Sequence, residues 1–170
     1  TSYFFFGDDV LLHFSLQDTF DFRDVIFYIL LGVISATVSI YFSKVYFKID
    51  TLFKSITNLY KRLLVGGILL GVIIYFMPPL FGEGYETINN VLRGNIDSVI
   101  VNNIFHIATD NIWVIVVLLV GLILFKIVAT SVTFGAGGVG GVFGPTLFTG
   151  SITGYVFALV INYTNLFTHQ

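Results

Sequence analysis

Residues 135–145 read Gly135-Ala136-Gly137-Gly138-Val139-Gly140-Gly141-Val142-Phe143-Gly144-Pro145, and six of the eleven are glycine. Long apolar stretches flank them. Residues 112–134 carry one charge, Lys126, and residues 142–161 carry none. Glycines this dense let a backbone turn sharply and let a ligand come close to main-chain N–H groups. Pro145 falls where the first turn of a new helix is expected, a place where a missing N–H costs little. The opening N–H groups of a helix lack intrahelical partners and lie at the positive end of its dipole. An anion is their natural occupant. The stretch therefore predicts a helix over 112–134, a glycine-rich turn over 135–141 and a second helix over 142–163.

Composition sets the environment. Of the 170 residues 56% are hydrophobic and only 11% charged, against about 25% charged in an ordinary soluble domain. The mean hydropathy is +0.92. Most of the chain must therefore face lipid or other apolar helices, so the expected class is an all-α, multi-pass membrane protein. The net charge of −2 gives no reason to expect a nucleic-acid partner, and without cysteine no thiol chemistry is available. The chain starts abruptly at Thr1 in apolar sequence and stops just past an apolar segment. It reads as an internal piece of a larger membrane protein.

Outward from the glycine run, residues 7–22 form a polar outer connection with four aspartates. Asp21 or Asp24 is placed to cap the next helix. A long helix is expected over 24–60, with a break near Asp50 and Thr51 as the alternative. A second helix is expected over 63–77, with Gly67 and Gly71 spaced for close helix packing and Pro78-Pro79 as its stop. Residues 84–106 are too polar to cross lipid exposed and suggest short or re-entrant helices. Lys44, Lys48, Lys54, Lys61 and Arg62 gather around the junction of the first two helices. Basic residues mark the cytoplasmic side, here of a cell membrane.

Other readings of the glycines fail on their surroundings. Gly135-x-Gly137-x-x-Gly140 has the spacing of a dinucleotide fingerprint, but that motif needs a preceding strand and a later acidic residue. No Asp or Glu follows Asp110. Helix packing alone suits Gly150 and Gly154 but not six clustered glycines, which would weaken any helix. Lys126 has two readings: pathway electrostatics for an anion, or a long stem reaching to an interface. His13, His106 and His169 lie scattered, and Glu83 and Glu86 sit in a turn beside two prolines. Nothing suggests a catalytic constellation, a metal site or a cofactor, so no enzyme is expected.

The stretch from Lys126 through Ala129-Thr130-Ser131, the glycine run and Gly141-Val142-Phe143-Gly144-Pro145 to Gly150 resembles the third signature region of the CLC chloride channels and chloride/proton antiporters. The order of segments resembles that family's helices J to N. The resemblance implies the CLC inverted-repeat fold, with broken helices whose ends meet inside the membrane. It implies chloride as the transported ion, held by backbone amides of Val142 and Phe143, with Gly144 as a lesser candidate for the same role. Gly140, Gly141 and Pro145 would shape the turn. It further implies a homodimer in the complete protein. The gating glutamate, the proton-transfer glutamate and the coordinating tyrosine are expected outside residues 1–170. Channel and antiporter, fluoride or another anion, and a packing segment without an ion site remain the alternatives.

Overall fold

A computed structural model describes residues 22–82, 84–92 and 111–164. The expected outer connection over 7–21, residues 93–106 of the re-entrant segment, the three histidines and Glu83 lie outside them. Within the described residues all regular structure is helical: α1 (Val25–Lys54), α2 (Leu59–Phe76), α3 (Tyr85–Leu92), α4 (Ile112–Ala136) and α5 (Phe143–Tyr163). A short 3-10 turn precedes α1 at Phe22–Asp24, and another, Pro78–Leu80, follows α2 where the two prolines stop it. Helices α1, α2, α4 and α5 are each long and apolar enough to cross a membrane. At about 1.5 Å per residue α1 is about 45 Å long, well beyond a hydrocarbon core of about 30 Å.

Helix α4 is the centre. It packs against α1, α2 and α5, while α3 packs against α5. Being apolar all round suits it to that place. Its Leu119, Leu122, Ile123 and Ile127 bury with Phe148 and Ile152 of α5, Ile88 and Val91 of α3, and Leu80. A second cluster, Phe53, Val132 and Ala136, lies next to the glycine run. The outer faces of α1 and α2 stay apolar and exposed, with Ile29, Val33, Leu64 and Ile68 among their residues, as a lipid-facing surface requires.

Several boundaries differ from expectation. The long helix ends at Lys54, not near Tyr60, and α2 begins at Leu59, not near Leu63. The cause is Asn58, whose side chain accepts from the N–H groups of Tyr60 (3.0 Å) and Lys61 (3.3 Å). It supplies partners that a helix start otherwise lacks. Asp50 and Thr51 do not break α1: Asp50 pairs with Lys54 at 2.6 Å and Thr51 bonds the Phe47 carbonyl at 2.8 Å. Asp24 occupies the N-cap position of α1, but its carboxylate makes no capping bond. The close helix contacts also fall elsewhere. A Cβ added at Gly67, Gly71, Gly150 or Gly154 meets nothing within 4 Å, whereas one at Gly66 collides with Ala136 and one at Gly135 comes within 2.8 Å of the Phe53 ring.

Candidate anion site

The glycine run closes one helix and opens the next. Gly135 and Ala136 still belong to α4; the break comes at Gly137, whose φ of 102° is left-handed. Gly137 donates to the Phe134 carbonyl at 3.0 Å and Gly138 to the Thr133 carbonyl at 2.8 Å. This paired closure satisfies the Thr133 and Phe134 carbonyls in the last turn of α4. The chain then stays non-helical until Phe143, with Val142 as the N-cap residue.

A valine has no side-chain oxygen to give to the free amides. Among the described residues, the N–H groups of Val142, Phe143 and Gly144 make no hydrogen bond, and Pro145 has none to make. The first bonds of α5 run instead to the Val142 carbonyl, which accepts from the Thr146 N–H at 3.0 Å and the Thr146 hydroxyl at 2.7 Å. Val142 is 41% and Phe143 72% exposed, while Gly144 is buried. A Cβ at Gly140 would meet nothing within 4 Å, and one at Gly141 would have the Phe143 nitrogen as its nearest neighbour, at 4.0 Å. Among the described residues, nothing packs onto either glycine as a side-chain contact.

A groove of about 290 Å³ runs from Val142 between α1 and α5. Ser35, Ser39 and Ser43, one turn apart on α1, face Thr146, Thr149 and Thr153 of α5 across it. The three threonines donate to carbonyls of their own helix.

The bundle end that holds the glycine run also holds the junction of α1 and α2. The Arg62 Nη2 lies 3.0 Å from the Cβ position of Gly137, and Phe53 packs on Gly135. Arg62 Nε is buried and has no hydrogen-bond partner among the described residues. Lys126 lies deeper, on α4, and is 2% exposed. Its ammonium donates to the carbonyls of Leu80 (3.1 Å) and Gly82 (2.7 Å) and sits 4.8 Å from the Phe148 ring centroid. Thus Val142, Phe143, Gly144 and Pro145 gather at one helix start, Gly140 and Gly141 lead into it, and Lys126 is held by the turn after α2. The sequence points to Arg62 only as a marker of the cytoplasmic side, and to Thr146 and Phe148 not at all. Arg62 carried the signal of its charge; the other two had none that separates them from ordinary helix residues.

An all-helical membrane protein with a helix broken and restarted around an uncapped N-terminus is the class that this geometry defines. The profile of the family described as "Voltage gated chloride channel" matches residues 1–169, and the chain belongs to that family. That family is one of channels and transporters rather than enzymes. An uncharacterised protein of Methanocaldococcus jannaschii is 30% identical over 160 residues, covering 94% of this chain and 36% of the relative. The H(+)/Cl(-) exchange transporter ClcA of Vibrio parahaemolyticus is 30% identical over 76% of this chain and 25% of the relative. The voltage-gated ClC-type chloride channel ClcB of Shigella boydii is 28% identical over 56% of this chain and 19% of the relative. The chain thus spans little more than a third of the longest-matched of these three, and less of the other two. No solved structure matches it.

Proposed function

We propose that this protein moves chloride across a membrane, with the anion resting against the backbone amides of Val142, Phe143 and Gly144. The observation that carries the reading is the start of α5: three successive N–H groups without partners among the described residues, directly after Gly140 and Gly141, onto which no described side chain packs. Helix-end amides offer partial charges, so an ion is stabilised without being trapped, and conduction needs release as well as entry. Packing accounts for Gly135, which abuts Phe53, but among the described residues no side chain packs onto Gly140 or Gly141. The names of the exchanger and channel relatives favour chloride as the cargo.

The basic cluster fits the same reading. Lys44, Lys48, Lys54, Lys61 and Arg62 belong to the cytoplasmic side by the bias of lysine and arginine. Arg62 lies against Gly137 at the mouth of the turn, and positive charge there raises the local anion concentration. In the cell the complete chain forms a homodimer in the plasma membrane. The test is flux into vesicles reconstituted with the complete protein, comparing chloride, fluoride and a small carboxylate, together with chloride calorimetry. Chloride flux and saturable chloride binding are expected. Preferred fluoride or carboxylate flux would replace the assignment, and absence of all three would leave the glycines a packing role.

A further inference from the structure

We infer that Lys126 is a positioning residue for the anion site: its ammonium joins the turn after α2 to Phe148 and so fixes where the start of α5 stands. The inference rests on the chloride reading above. It concerns a role different from both sequence readings of Lys126, pathway charge and interfacial snorkelling.

Burying a charge is costly. Lys126 is 2% exposed and shares its stretch of α4 with the buried Leu122, Ile123 and Ile127. A buried ammonium is tolerated only where its donors are satisfied. The turn supplies acceptors: Pro78 and Pro79 stop α2, and the chain past them turns through Gly82 at a φ of 66°. The carbonyls of Leu80 and Gly82 receive Lys126 at 3.1 and 2.7 Å. The same ammonium lies 4.8 Å from the centroid of the Phe148 ring, where the negative face of the ring attracts a cation.

Phe148 cannot yield. It is fully buried, and Gly84 lies so close to it that any Cβ there would strike the ring. Phe148 therefore sits between α4, the turn and the start of α3. It follows Phe143 by five residues of continuous helix, about 7.5 Å along the axis. A helix transmits such a fixture rigidly, so the height of the Phe143 and Gly144 amides is set by the Lys126–Phe148 contact. A ligand shell held by a supporting residue loses precision when that support is removed.

Chloride calorimetry on the purified complete protein, with thermal unfolding in parallel, tests this on Lys126→Met, Lys126→Arg, Phe148→Leu and the Lys126→Met/Phe148→Leu double variant. Lys126→Met and Phe148→Leu should each weaken chloride binding about tenfold, the scale of coupling within one contact network. Lys126→Arg should bind chloride more tightly than Lys126→Met, since it keeps a charge and donors, but need not reach the wild type, because a planar guanidinium is bulkier in this buried, ring-stacked place. The double variant should bind no more weakly than the weaker single variant, because both changes cut one linkage. Unchanged affinity in Lys126→Met or Phe148→Leu, with only the unfolding temperature lowered, overturns the inference. So does an additive double variant, which would make Lys126 a direct source of field. If Lys126→Met does not fold, Phe148→Leu alone decides, because it keeps the charge and removes the ring. A wild type that binds no chloride is a separate result: it removes the chloride reading itself.

Discussion

Gly138 donates its N–H to the carbonyl of Thr133 at 2.8 Å, and this bond marks where α4 stops. It requires Gly137 to stand between them at a φ of 102°, a conformation that costs a residue with a side chain about 1–3 kcal/mol. A Cβ there would also lie 3.0 Å from Arg62 Nη2. Gly137→Ala should therefore lower stability by about 1–3 kcal/mol in thermal unfolding of the detergent-solubilised protein. Gly137→Asn should cost less, since asparagine tolerates left-handed backbone better than alanine. Equal losses in the two variants would mean that Arg62 crowding, not backbone handedness, governs the position.

The amide of Phe143 can be removed without touching its side chain. Replacing Phe143 by its α-hydroxy analogue turns the amide into an ester and deletes one donor. A hydrogen bond to a charged partner contributes about 1.5–3 kcal/mol, so chloride affinity should fall roughly tenfold or more. The unfolding temperature should fall only modestly: this N–H bonds nothing among the described residues, and the cost is limited to the weaker ester carbonyl that Val142 then offers to Thr146. Phe143→Pro deletes the same donor but is a blunter change: Val142 has a helical ψ of −14°, which a following proline disfavours. Calorimetry on the ester variant is the sharper measurement, and an unaltered affinity would remove Phe143 from the site.

What the sequence made legible was the break itself. Glycine density and a proline four residues after Gly141 signalled a stop and a restart, and the restart lies at Phe143, beside the expected Val142. The apolar helices were legible for the same reason: lipid imposes long uncharged runs. Small-residue contacts were not. Gly67 and Gly71 have the favoured spacing, yet Gly66 is the residue against Ala136. Spacing identifies a stripe on a helix but not which way the helix is rotated. The partners of Lys126 were equally hidden, since Leu80 and Gly82 offer carbonyls that every residue has.

The hydrophobic pattern runs through Asn58 and so predicts continuous helix there. Its side chain accepts from Tyr60 and Lys61 and starts α2. Asn58→Ala should destabilise by about 1 kcal/mol, while Asn58→Asp and Asn58→Ser should remain near wild type, as caps of comparable quality. Thermal unfolding of the three variants checks this. A loss in Asn58→Asp as large as in Asn58→Ala would show that the cap bond is not what Asn58 contributes.

The contact between Gly66 and Ala136 ties α2 to the last residue of α4, one position before the left-handed Gly137. In lipid, helices gain little from apolar burial and depend on close backbone approach through small residues. A methyl at Gly66 would collide with the Ala136 methyl, and overpacking of this kind costs about 1–3 kcal/mol. Gly66→Ala should lower stability by that amount. Ala136→Gly removes the opposing methyl, so the Gly66→Ala/Ala136→Gly double variant should recover much of the loss. The signature to look for is a coupling energy of about 1 kcal/mol or more in the double-mutant cycle. Strictly additive losses would mean that the two helices do not meet at this pair, and that the end of α4 is held by Phe53 against Gly135 instead.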